Sequence, residues 1–180
     1  MRKYIFLAIL YLMIYLFNFK TSFNFSLNPN FDSSSYSTFS YPTDYISISS
    51  EYGYRKLYGV DNFHNGIDFL APEGSVIYAS CCGIVEYASF LSGGYGNTII
   101  ISHSNSIKSL YCHVSENFIV SVGTYVNSGD IIGYVGPKYL SNGILNGNTT
   151  GPHLHFSIFK DNSTVNPLEY IKKIEKHKVY

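Results

Sequence analysis

From about Tyr45 the chain breaks into short alternating apolar and polar runs, each closed by Gly, Asn or Ser. Ser75 to Ala79, Gly83 to Tyr87, Thr98 to Ser102 and Ser109 to His113 are the first of these, and Ile119-Val120, Tyr125-Val126, Ile131 to Val135 and His153 to Phe159 continue the series. Successive side chains on a strand point to opposite faces, so a period of two reads as a half-buried strand. Strands this short and this frequent predict a mainly β fold, a sandwich or a barrel. Only near the C-terminus does the period change. Asn166 can cap a helix, Pro167 suits its first position, and Leu168, Ile171 and Ile174 follow, which predicts one short helix between Asn166 and Lys178.

The last strand candidate carries chemistry. In Gly151-Pro152-His153-Leu154-His155-Phe156 the alternation puts His153 and His155 on one face and Leu154 and Phe156 on the other. Two imidazoles on one face present nitrogens to a metal, or one to a metal and one to a substrate. About 90 residues earlier, His64-Asn65-Gly66-Ile67-Asp68 adds a histidine and a carboxylate around a glycine that lets the backbone turn. His64, Asp68 and His155 would give zinc three ligands and leave a fourth position for water, as a catalytic site requires. Tyr111-Cys112-His113 reads as a strand with two polar-tipped side chains, Tyr111 and His113, on one face.

These elements, H-x-G-x-D, Y-x-H and G-P-H-L-H-F in that order, resemble the lysostaphin-type (LytM) zinc metallopeptidases. The resemblance runs from Ser49 to Leu168. It includes Tyr52-Gly53-Tyr54-Arg55, Gly94-Tyr95-Gly96-Asn97, Gly123, Gly129 to Gly133 and Val165-Asn166-Pro167. It implies an antiparallel β core with an open groove, one zinc ion held by His64, Asp68 and His155, and His113 and His153 beside the metal as proton carriers. The implied activity is a zinc endopeptidase that hydrolyses peptide bonds of peptidoglycan stems or cross-bridges. No H-E-x-x-H motif is present to supply a glutamate base, so the two histidines, which titrate near neutrality, are the available acid and base. Two departures stand out. Cys112 and Val114 replace the usual Gly and Leu around His113, and the segment from Pro137 to Thr150 is longer than usual.

The rest of the chain bounds these readings. With 180 residues, 13% of them charged, and a formal net charge of zero, there is no basic field to draw in nucleic acid or an anionic membrane. Arg2 and Lys3 precede an uncharged, mostly apolar run from Tyr4 to Phe19 that Lys20 closes, which predicts residues 1–20 to be a signal peptide or an N-terminal membrane anchor. Export to the periplasm, cell envelope or exterior follows. Residues 21–44, rich in Ser, Asn and Phe, read as a linker whose phenylalanines could dock on the domain. The metallopeptidase domain is expected over 45–172 and a tail over 173–180. Cys81, Cys82 and Cys112 are read as thiols rather than zinc ligands, and His103 as structural.

A non-catalytic module that binds the wall or activates another hydrolase is the alternative function, and the intact ligand set favours the enzyme. A zinc D,D-carboxypeptidase is set lower, because it is expected to show another His/Asp spacing and a glutamate base. Within Pro137 to Thr150, turn formers such as Asn142-Gly143 and Asn146-Gly147 predict a loop that walls the groove, with Tyr139 or Leu140 against the bound peptide.

Overall fold

The computed structural model describes residues 38–171. In chain order the strands are β1 (Ile48–Ser50), β2 (Gly53–Leu57), β3 (Val60–His64), β4 (Ile67–Phe69), β5 (Val76–Tyr78) and β6 (Gly83–Leu91). They continue as β7 (Gly96–Ser102), β8 (Ile107–Cys112), β9 (Tyr125–Val126), β10 (Ile131–Tyr134), β11 (Leu154–Lys160) and β12 (Ser163–Val165). Eight of them form one antiparallel sheet in the order β1-β4-β11-β8-β7-β6-β9, with β12 paired to the far end of β11. Two antiparallel ribbons, β5 with β10 and β2 with β3, complete a mainly β architecture.

The registers explain how the sheet divides core from groove. Leu154 pairs with Phe69, Phe156 with Ile67 and Tyr111, and Tyr111 with Ile99, so these side chains share one face. All of them are fully buried, in one cluster with Ile77, Ile132, Val114 and Val135 from around the β5–β10 ribbon. Burying a side chain of the size of Phe156 stabilises the fold by about 1.5–3 kcal/mol. On the opposite face the register aligns Asp68, His155, Cys112 and Thr98 in one row across four strands. The alternation read from Gly151 to Phe156 is therefore the one the sheet uses.

Some expectations are corrected. Ile119-Val120 forms no strand, and Ile119 is exposed while Val120 only leans on the core. The C-terminal helix is one 3-10 turn, Pro167–Glu169. Asn166 does cap it, accepting from Leu168 N at 3.1 Å, but Ile171 then enters a parallel bridge with Phe39 and is buried. Burial of Ile171 against Phe39 takes the chain out of helical register. Phe39 itself is fully buried, with its ring edge-on to His103 at 5.0 Å and to Tyr170 at 6.0 Å, so packing against the core begins before Tyr45. The proposed leader, most of the linker and the tail lie outside the described residues. Among those described, no helix is long and apolar enough to cross a membrane.

Candidate metal centre

His64 ends β3, Asp68 is the middle of β4, and His155 lies opposite Asp68 on β11. Three atoms converge there. His64 Nε2 and His155 Nδ1 are 3.0 Å apart, His155 Nδ1 and Asp68 Oδ1 2.8 Å, and His64 Nε2 and Asp68 Oδ1 3.2 Å. Ligand atoms on a tetrahedral zinc with bonds of about 2.0–2.1 Å stand roughly 3.3 Å from one another, so this triangle is nearly one face of that tetrahedron. Among the described residues it is the one group of metal-ligating side chains this close.

The surrounding hydrogen bonds favour a cation at that point. His64 Nδ1 donates to the Glu51 carbonyl at 2.8 Å, which leaves a lone pair on the Nε2 that faces the triangle. Ser157 Oγ lies 2.8 Å from His155 Nε2 and can accept its proton, leaving the Nδ1 lone pair to face Asp68. Two nitrogen lone pairs and a carboxylate oxygen then meet, which a bound cation relieves. Without an ion, His155 Nδ1–H donates to Asp68 instead. Burial works to raise the Asp68 pKa, but hydrogen bonds from His155 and then His64 outweigh it and hold the carboxyl far below the usual carboxylate range. Burial also pushes the His155 pKa down, against the pull of Asp68.

Gly66 serves this site differently from the sequence reading. It is not in the left-handed region where glycine is favoured. A Cβ there would stand 2.4 Å from Ser157 Oγ, 2.5 Å from the Phe156 carbonyl and 2.8 Å from His155 Cε1. The motif needs this glycine for space beside β11. Gly94 and Gly96 do have positive φ, as turn makers should.

The other two histidines flank the triangle. His153 Nε2 lies 3.7 Å from Asp68 Oδ1, while its Nδ1 donates to the Gly151 carbonyl at 2.9 Å. His113 Nδ1 donates to the Asn146 carbonyl at 2.6 Å, and the His113 and His153 rings are 4.5 Å apart. Both rings thus carry their proton on the nitrogen held by backbone and keep Nε2 as an acceptor. Burial first, and then the neighbouring His153, pushes the His113 pKa down to about 3. His113 does not continue the strand as the Y-x-H reading has it. Strand β8 ends at Cys112, and His113 has φ of 60°, an uncommon conformation for a non-glycine residue that recurs at functional sites. Its side chain therefore turns to the groove, while Tyr111 stays in the core with its hydroxyl on Ser80 N at 2.8 Å. Cys112 fits where glycine is usual: it is fully buried beside Thr98, and burial raises its thiol pKa to about 12. Cys81 is buried as well, Cys82 is exposed, and none of the three is in a disulfide.

All five residues line a groove of about 450 Å³. The β2–β3 ribbon forms one wall through Arg55, Asn62 and Phe63, and the β6–β7 turn forms the other through Gly93, Gly94 and Tyr95. From the long segment after Val135, Asn148 reaches this groove, whereas Tyr139 and Leu140 do not line it. Leu140 is buried within the segment, which closes on itself through Leu140 N to the Ile144 carbonyl and Asn146 N to the Lys138 carbonyl. Asn146 is the residue that sequence reasoning missed here, since nothing in an asparagine-rich loop marks the one that is buried.

A profile of peptidase family M23 matches residues 62–167, which is more than half of the chain and holds all five residues. The chain belongs to peptidase family M23. It is 37% identical over 129 residues to the DD-carboxypeptidase/endopeptidase Mpg of Neisseria meningitidis serogroup B, covering 71% of this chain and 27% of that protein. It is 33% identical over 108 residues to the murein hydrolase activator NlpD of Salmonella dublin, covering 60% of this chain and 26% of that one. The chain thus spans about a quarter of the length of these curated M23 relatives. The catalytic domain of the antimicrobial peptidase lysostaphin from Staphylococcus simulans superposes with a TM-score of 0.60 at 29% identity, covering 71% of this chain and 92% of that one. The lysostaphin-type resemblance and the antiparallel β fold both hold. Because a relative within M23 is named a DD-carboxypeptidase/endopeptidase, the lack of a glutamate base no longer ranks a carboxypeptidase lower.

Proposed function

We propose that this chain is a zinc metalloendopeptidase that hydrolyses peptide bonds of peptidoglycan stems or cross-bridges. The observation that carries this reading is the triangle of His64 Nε2, Asp68 Oδ1 and His155 Nδ1, with edges of 2.8–3.2 Å, flanked in one groove by two further imidazoles. His64, Asp68 and His155 hold the zinc. The ion, when bound, lowers the pKa of a water toward neutrality and polarises the substrate carbonyl. His113 and His153 carry the protons: one takes the proton of the attacking water, and the other protonates or holds the tetrahedral species as the amine leaves. Their Nδ1–H groups, given to backbone carbonyls, fix the tautomer that leaves Nε2 ready to accept.

Peptidoglycan as substrate draws on the relatives' names, as does an exported, cell-envelope location, and cleavage at a C-terminal residue stands beside cross-bridge cleavage for the same reason. The relative named a murein hydrolase activator favours the second reading, a non-catalytic module on the same fold. The three candidate ligands and both candidate proton carriers present in this chain weigh for the enzyme.

The test is digestion of purified peptidoglycan, with released fragments identified by mass. Peptide-cleaved fragments that vanish with chelator or with Asp68→Ala are the expected result. Zinc-loaded protein that releases none, across walls of different cross-bridge chemistry, would leave the activator reading.

A further inference from the structure

Arg55 and Asp68 are the two residues of the groove lining, apart from its histidines, that can carry a full charge. Arg55 Nη1 lies 3.7 Å from Asp68 Oδ2, the carboxylate oxygen that does not belong to the ligand triangle. The guanidinium is held from one edge: Nε–H donates to Asn62 Oδ1 at 3.3 Å, and Nη1 donates to Ser50 Oγ. Nη2 carries two more N–H donors with no hydrogen-bond partner among the described residues, and the side chain is 30% exposed. A planar fork fixed on one edge and open on the other is preorganised to bind a carboxylate. With a divalent cation in the triangle, the sum of charges on this side of the groove is positive, so an anion is favoured there.

Position narrows which anion. Arg55 and the triangle grip opposite oxygens of one carboxylate, so a group bound to Arg55 lies about one residue, ~3.8 Å of chain, from an amide held at the triangle. The residue that supplies the scissile nitrogen presents a free carboxylate at that separation in two cases. It is the C-terminal residue of a peptide, or it is an amino-dicarboxylic acid acylated on its amino group within a cross-link. A neutral bridge of glycines offers no such anion.

We propose that Arg55 is a specificity residue that binds a free carboxylate on the residue supplying the scissile nitrogen. It thereby selects C-terminal residues and amino-dicarboxylic acid cross-links over neutral bridges. This rests on the hydrolase reading above and names its substrate class.

The experiment compares two peptides that differ only at the residue supplying the scissile nitrogen, which ends in carboxylate in one and carboxamide in the other. Zinc-loaded wild type, Arg55→Lys and Arg55→Gln are assayed on both, with zinc content and thermal unfolding measured for each protein. Wild type is expected to favour the carboxylate by roughly 10- to 100-fold in kcat/KM, as suits a charge-assisted bidentate contact. That ratio should fall toward one in Arg55→Gln and lie between in Arg55→Lys, which keeps the charge without the fork. A wild-type ratio near one, or a ratio unchanged in both variants, overturns the proposal. Calorimetric binding of the same two peptides separates it from the hydrolase reading. Neither peptide being cleaved, while the carboxylate still binds more tightly and only with Arg55 present, keeps Arg55 as the anion site and removes the hydrolase. Equal binding of both peptides overturns the role of Arg55 whatever the turnover.

Discussion

The backbone carbonyl of Asn146 accepts the Nδ1–H of His113 at 2.6 Å, while the Asn146 side chain takes the Asn97 N–H at 2.8 Å and donates to the Val114 carbonyl at 3.1 Å. One wholly buried residue therefore joins the long loop to β7 and to the segment after β8, and selects the His113 tautomer. Asn146→Ala leaves two buried backbone groups unpaired, at about 1–3 kcal/mol each, so stability should fall by roughly 2–4 kcal/mol. Turnover should fall with it, because His113 loses its fixed orientation, while zinc content should hold. Urea denaturation, steady-state kinetics and metal analysis on one preparation check this. Loss of zinc in Asn146→Ala would mean the loop braces the metal ligands rather than His113.

Asp68→Ala and His155→Ala are each expected to abolish stoichiometric zinc, about one ion per chain in the wild type. Removing the ion by chelation should lower stability as well, by about 2.7 kcal/mol if the free ion had stood at 100 times its dissociation constant. Elemental analysis with thermal unfolding before and after chelation is the measurement. Zinc that survives both substitutions unchanged would refute the ligand assignment.

His113→Ala and His153→Ala should behave in the opposite way, keeping zinc and losing turnover by roughly 10²–10⁴-fold, the usual cost of removing a general acid or base. His153 is the sharper test, since its Nε2 is only 3.7 Å from Asp68 Oδ1. If zinc leaves with it, His153 is a ligand.

How far the sequence could be read follows from what each feature depends on. The alternation of His153, Leu154, His155 and Phe156 is local, and it survives folding because Leu154 and Phe156 enter the core while His155 meets Asp68 across the sheet. Tyr111 and His113 broke the same rule, because a positive φ at His113 is set by its neighbours in space: its N–H reaches the Tyr95 carbonyl, and its own carbonyl takes the Gly136 N–H. The C-terminal helix failed for a related reason. Asn166 and Pro167 signal a start correctly, but burial of Ile171 against Phe39, 132 residues away in sequence, decides the stop. Asn146 could not be found by spacing at all, since its partners lie on two other strands' ends.

Metal-free protein should lose stability as pH falls from about 6.5 toward 3. Burial lowers the pKa of His113 from 6.5 to about 3, and it also lowers those of His103 and His155. A histidine with a depressed folded-state pKa binds fewer protons folded than unfolded, so its contribution is complete above the unfolded value and drains away below it. Asp68, also depressed, acts lower, because its contribution is complete above the ordinary 3.8. Loss between pH 6.5 and 4 therefore belongs to the histidines. Urea denaturation of chelated protein at several pH values measures it, and His113→Gln should show a shallower decline. Parallel curves for the two proteins would show that His113 does not titrate in this interval.

Gly66→Ala tests whether the H-x-G-x-D motif needs its glycine for space. The added methyl would meet Ser157 Oγ at 2.4 Å and the Phe156 carbonyl at 2.5 Å. Ser157 can rotate, but the Phe156 carbonyl belongs to β11, which is paired on both sides by β4 and β8 and cannot retreat alone. Strain must then push the start of β4 away from β11, and Asp68 moves with it from its 2.8 Å contact with His155. Overpacking of this kind typically costs about 1–3 kcal/mol. Zinc affinity should fall by roughly 10- to 100-fold, the scale of a disturbed shell around a metal site. Gly151→Ala is the control, because a Cβ there meets nothing within 4 Å and its φ lies outside the glycine-favouring region. That variant should keep both fold and zinc affinity. Competition of each variant against a zinc chelator of known affinity measures the difference, and equal affinities for Gly66→Ala and Gly151→Ala would show that β4 yields without moving Asp68.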